Sequence, residues 1–158
     1  MGVLRYQLQS LFTNILFISA LSSWFVAQVI KALIVIIQGR WRSAGDIMTT
    51  LAWRTGGMPS SHASMVSGLT TAVAIKDGIS SDLFVVMLFM ALVIIRDALG
   101  VRRSSGLQAR TLNQMGQYLA DTDDYEYQPL KEVLGHKPME VVVGCLLGII
   151  IASALAFL

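Results

Sequence analysis

Apolar and polar positions alternate in long blocks along this chain, and four of the blocks are apolar. The first runs from about Ile15 to Ile37 and is long enough to cross a bilayer even with Gln28 and Lys31 inside it. Residues 1–14 read as a short interfacial lead-in. The second block, from Pro59 to about Ile75, is rich in Ala, Ser, Thr and Gly, the composition of a helix packed inside a bundle rather than turned to lipid. Lys76-Asp77-Gly78 closes it. The third, Leu83 to Ile95 extended to about Leu99, is almost wholly aliphatic, and its length alone also fits a buried helix of a soluble protein. The fourth, Met139 to Phe157, follows Pro138 and carries Gly144 and Gly148 at the spacing of close-packed membrane helices.

The polar blocks between them have patterns of their own. Gln38 to Met58 holds Arg40, Arg42, Asp46 and Arg54, with Trp41 and Trp53 where aromatic belts sit, and predicts a short helix around Ile47 to Trp53. From Gly100 to Lys137 the chain is polar again; Leu107, Leu112, Met115 and Leu119 recur at helical spacing and predict an amphipathic helix over Gly106 to Leu119 at the membrane surface. Asp121 to Glu126 is an acidic cluster of the kind usually found in solvated loops. The expected architecture is an all-α integral membrane bundle of about four spans with short interfacial helices, residues 1–158 forming one membrane-embedded domain.

Composition sharpens this. Hydrophobic residues make up 54% of the chain and charged residues 14%, whereas soluble domains average about 45–50% and about 25%. A net charge of +2 is too small to point to nucleic acid. Cys145 is the sole cysteine, which excludes an internal disulfide and a cysteine-built zinc site, and its apolar surroundings read as packing. Ile18-Ser19-Ala20 has the look of a signal-peptide end, but the apolar run continues well past it, so cleavage there is not expected. With four crossings, Arg40, Arg42, Arg54, Arg102, Arg103, Arg110, Lys131 and Lys137 fall on one side, with Lys31 toward it; Arg5 and Lys76 fall on the other. The positive-inside rule makes the basic side cytoplasmic, in the plasma membrane of a prokaryote or in an organelle membrane.

The candidate chemistry lies on that side. Thr55-Gly56-Gly57-Met58-Pro59-Ser60-Ser61-His62-Ala63 sets two glycines, a proline, two hydroxyls and a histidine at the start of the second apolar block. A helix beginning near Pro59 would direct its first N–H groups and the hydroxyls of Ser60 and Ser61 at one volume where the helix dipole favours an anion. His62 is the side chain suited to move a proton near neutral pH. The plainer reading is a capped helix start with His62 at the interface. His136, the chain's other histidine, precedes Glu140 by four positions, a spacing that lets the carboxylate fix the imidazole's tautomer and free its other nitrogen as nucleophile or base. It is equally compatible with an exposed loop histidine and a glutamate favouring a helix N-terminus. Lys31 either snorkels to the surface or turns into the bundle toward a phosphate. Asp97 poses the same choice, and Arg102 and Arg103 read either as a phosphate clamp or as cytoplasmic anchors.

Pro-Ser-Ser-His at 59–62 and His-x-x-x-Glu at 136–140 resemble the second and third signatures of the type 2 phosphatidic acid phosphatase superfamily, usually PSGH and SRxxxxxHxxxD. AQxxK at 27–31, GGMPSSHAS at 56–64, DALGVRR at 97–103 and LGHKPMEVVVG at 134–144 look like its divergent branch, so the resemblance covers most of the chain from Ala27 onward. It implies His136 as nucleophile, Glu140 in place of the usual aspartate that orients it, His62 as general acid, and Lys31 and Ser60 as phosphate ligands. The chain departs from the pattern at Gln38 and Leu130, where the superfamily has arginines, and at Ser61, where it has glycine; Arg102 and Arg103 are the candidates to replace those arginines, and Asp97 is a candidate orienting residue.

The expected function is a membrane phosphatase that hydrolyses a lipid phosphate or prenyl pyrophosphate through a phosphohistidine, using no metal or other cofactor. Lys31, Ser60, Ser61, Arg102 and Arg103 would hold the phosphoryl oxygens. Its partners are the bilayer and the amphiphilic phosphate substrate. The alternative is a non-catalytic protein that binds an anionic lipid at the same basic site or moves one across the bilayer.

Overall fold

The computed structural model describes residues 2–39, 57–122, 126–130, 132 and 137–157, with Gly45 and Met48; for 101–103 it describes the backbone alone. The described residues form six helices: α1 (Gly2–Phe12), α2 (Ile15–Ile37), α3 (Ser61–Asp77), α4 (Asp82–Leu99), α5 (Val101–Thr122) and α6 (Pro138–Ala156). No strand occurs among the described residues. Of the short helix expected at Ile47 to Trp53, Met48 alone is described, and it is helical; the rest lies outside the described residues.

Local chemistry explains where the helices begin and end. The side chain of Asn14 accepts the Leu16 N–H at 2.9 Å and opens α2. Ser81 does the same for α4 through the Phe84 N–H, at 3.2 Å. Each satisfies a donor that the first helical turn would leave unpaired. α3 begins at Ser61, two residues after the proline expected to start it. Ser60 is extended and its hydroxyl accepts the Ala63 N–H at 3.4 Å, so the serine, not Pro59, marks the boundary. Gly78 ends α3 with φ +85°, a region that favours glycine.

Among the described residues three helical stretches are long and apolar enough to cross a membrane: α2, α4 running on through Gly100 into α5, and α6. α3 is the fourth helix of the expected bundle, but at 17 residues it is roughly 25 Å long, short of the hydrocarbon thickness of about 30 Å. It sits in the middle instead, packed most extensively against α6 and also against α2 and α4.

The bundle is built with small residues inside and large ones outside. Its buried hydrophobic positions are alanines and valines, among them Ala27, Ala63, Val73, Ala98, Val141 and Ala152, whereas Phe25, Phe89, Val93 and Ile150 are more than half exposed. Lipid is as apolar as leucine, so helices in a bilayer associate through close approach and polar contacts rather than through burial of large side chains. Gly144 and Gly148 show that approach. A Cβ on Gly144 would lie 2.5 Å from the Ser60 carbonyl oxygen, and one on Gly148 would run into the Ser64 carbonyl. Hydroxyls fasten the same seams: Ser67 donates to the Cys145 carbonyl at 3.1 Å, and Ser64 to the Ser23 carbonyl at 2.9 Å.

α5 continues from α4 over a longer range than the expected Gly106 to Leu119, and Leu107, Leu112, Met115 and Leu119 are exposed along it. Residues 126–130 and 132 fold back on this helix. Asn113 receives the Leu130 N–H at 2.8 Å and donates to the Leu130 carbonyl at 3.0 Å and to Glu132 at 2.9 Å. The Tyr127 hydroxyl also donates to Asn113, and its ring lies over Gly116.

Candidate functional site

Four helix ends meet at one end of the bundle: α2 and α4 finish there, and α3 and α6 begin. A cluster of Ala63, Ala98 and Val141, flanked by Ile95, Leu99 and Cys145, packs three of them together. The Ser60 N–H donates to the Glu140 carbonyl at 2.8 Å, tying the start of α3 to the first turn of α6. Two helix N-termini, each the positive end of its dipole, therefore open on the same side.

Lys31 reaches this place from α2. It is 4% exposed, and its Nζ donates to Ser61 Oγ at 3.1 Å; Ser61 is 3% exposed. The Glu140 carboxylate is within electrostatic reach of the ammonium. An ammonium buried within a span is expensive unless partnered, and long side chains near a helix end normally escape to the interface. Lys31 turns inward instead. Of the two courses open to it in the sequence, the structure takes the inward one, which ends on Ser61.

The other expected site residues fall as follows. Ser60 is fully buried and caps α3, so its Oγ already accepts a helix N–H while its O–H proton can still be donated. His62 is the second residue of α3, half-buried, beside Ser61. Glu140 is half-buried in the first turn of α6, where its Oε2 accepts the Lys137 N–H at 3.3 Å. Asp97 is half-buried in the last turn of α4, next to Ala98 of the cluster. Arg102 and Arg103 are in the first turn of α5, their side chains outside the description, and His136 lies outside the described residues. Among the described residues no group of three or more histidine, cysteine or carboxylate side chains is placed to hold a metal ion.

Two further features of this end of the bundle are not among the candidate site residues of the sequence. Gln28, one turn before Lys31, is 3% exposed, and its amide oxygen has no hydrogen-bond partner among the described residues. At the α4–α5 elbow an open groove of about 1100 Å³ has an apolar wall of Leu92, Ile95 and Leu99 and a polar one of Arg96, Ser104, Ser105 and Gln108. Gln28 in an apolar run was a visible signal; the groove depends on how two helices join and had none.

Together, these features define an all-helical integral membrane protein in which a buried basic side chain, hydroxyls and two helix N-termini gather at one end of the bundle. The comparisons with known proteins agree with that class. The chain belongs to the divergent PAP2 family, which residues 12–151 match. It is 37% identical to the uncharacterized membrane protein YuiD of Bacillus subtilis (strain 168), over 93% of this chain and 97% of that one. No solved structure matches the chain significantly.

Proposed function

We propose that the protein is a PAP2-like membrane phosphatase acting on a lipid phosphate or prenyl pyrophosphate, with its site on the cytoplasmic face. The observation that carries this reading is the Lys31–Ser61 hydrogen bond beside the Ser60–Glu140 backbone contact, in which residues of the motifs at 27–31, 59–62 and 136–140 meet. In the proposed reaction His136 attacks phosphorus, a P–N bond forms, and the P–O bond to the lipid alcohol breaks as His62 protonates the departing oxygen. Water then attacks the phosphohistidine, His62 takes its proton, and phosphate leaves. Lys31, Ser60, Ser61, Arg102 and Arg103 stabilise the charge spread over the phosphoryl oxygens. The apolar wall of the elbow groove, whose Ile95 and Leu99 also pack on the Ala63 cluster, offers the lipid tail a surface near the start of α3.

Gln38 and Leu130, standing where the superfamily has arginines, favour the second reading, a non-catalytic binder or translocator of anionic lipid. Rapid-quench trapping of acid-labile phosphoenzyme separates the two. Wild type should form it from a lipid phosphate and His136→Ala should not. His62→Ala should form it from an aryl phosphate, whose leaving group needs little protonation, but fail on an alkyl phosphate. Lipid binding without phosphoenzyme or phosphate release in the wild type would leave the binder standing.

A further inference from the structure

We propose that Gln28 is a specificity-determining residue of the oxyanion site: its amide oxygen accepts a hydrogen bond from a P–OH of the bound group, so that the site selects protonated phosphoryl groups over oxyanions that carry no proton. The inference rests on the oxyanion-binding reading above and adds to it the feature of the ligand that is recognised. Its starting point is an anomaly. Gln28 is 3% exposed within a membrane-spanning helix, and its amide oxygen finds no donor among the described residues. An unpaired carbonyl in such surroundings is destabilising, and bundles of this kind normally satisfy or avoid it. Ser19 and Ser23 on the same helix also leave a buried hydroxyl oxygen unpaired, but a hydroxyl can rotate toward a backbone carbonyl. An amide oxygen accepts only, and it waits for a donor.

Position says where that donor comes from. Ser19, Ser23, Ala27, Gln28, Lys31 and Ala32 are the buried residues of α2 and define its inner face. Gln28 and Lys31 are three apart, hence neighbours on that face, and a helical side chain leans toward the N-terminus, which brings the Lys31 stem back over the turn of Gln28. An anion held by the Lys31 ammonium, the Ser61 hydroxyl and the α3 terminus is therefore next to Gln28. Ammonium, hydroxyl and helix terminus attract every oxyanion. A neutral acceptor beside them distinguishes the protonated one, because lone pairs of an unprotonated oxyanion facing an amide oxygen repel it. Near neutral pH phosphate keeps at least one P–OH, whereas sulfate, of nearly the same size, has none.

The test uses the purified full chain in detergent micelles at fixed ionic strength, with inorganic phosphate and sulfate as calorimetric probes. Wild type should prefer phosphate by about tenfold or more, the worth of one hydrogen bond. Gln28→Leu should lose that preference through weaker phosphate binding with sulfate binding retained. Without ligand it should melt at a higher temperature, because the unpaired oxygen is gone. Gln28→Met, matched in length, should do the same, and it carries the test if the leucine variant does not fold. A preference that survives in the variants, or equal losses for both anions, which would mean that the amide donates its N–H, would overturn the inference. Wild type binding both anions equally would overturn it alone; wild type binding neither would overturn the oxyanion reading with it.

Discussion

Lys31 shows how one residue's burial decides between two uses of the same side chain. Six residues from the end of α2 it was free to snorkel, and the sequence could not choose; the contact with Ser61 fixes the inward course. If the ammonium holds a phosphoryl oxygen in the transition state, Lys31→Met should cost about 3 kcal/mol, roughly a hundredfold in turnover, while Ser61→Ala, losing a neutral hydroxyl, should cost less. Steady-state phosphate release from a lipid phosphate is the measurement. A methionine variant as active as wild type would return Lys31 to a purely structural role. The residues that caught the eye in the sequence, His62, Ser60, Ser61 and Lys31, did so because polar groups in apolar runs need a reason. Gln28 meets the same criterion, but an uncharged amide gives no hint from sequence alone that its oxygen is left unpaired.

At the scale of elements, the helices were legible because hydrophobic blocks and periodicity mark them, and α2 spans the residues its apolar run predicted. The start of α3 was displaced because a serine cap competes with a proline for the boundary, and the cap's hydrogen bond is invisible before the backbone is placed. The Gly144 and Gly148 spacing announced a tight seam, and the structure gives it a partner, the Ser60 to Gly68 stretch of α3. Gly148→Val should therefore force α3 and α6 apart, at a cost of about 1–3 kcal/mol or more because the neighbour is backbone. A lowered thermal midpoint in detergent, with the same substitution at exposed Leu146 near neutral, would bear this out. Asn113 is a different kind of element-level device, one side chain making four hydrogen bonds that hold Tyr127, Leu130 and Glu132 on α5. Asn113→Ala leaves those partners to water and should speed amide exchange at Leu130 without unfolding the spans. Nothing in the sequence pattern around position 113 signalled it, because the contact joins residues far apart in the chain.

Over the whole molecule, parity of crossings was the most productive inference from sequence: it placed the starts of α3 and α6 at one end, where the Ser60–Glu140 contact now joins them. What parity could not provide is the inequality among the helices. α3 is shorter than its neighbours, rich in hydroxyls, and surrounded by three of them, with its closest partner, α6, the last to be made. That has a consequence for biogenesis. As the chain leaves the ribosome, α2 and α4 can enter the bilayer on their own hydropathy, whereas α3 is not among the helices long and apolar enough to do so and gains a full set of partners only once α6 arrives. A chain truncated after residue 132 should leave α3 reachable by a membrane-impermeant thiol reagent through a cysteine placed at Ser67, in a Cys145→Ser background. The full-length chain should protect the same cysteine. Insertion would then be a two-stage event in which the centre of the molecule is the last part to settle, and quality-control proteases would read an unseated α3 as the mark of an unfinished protein.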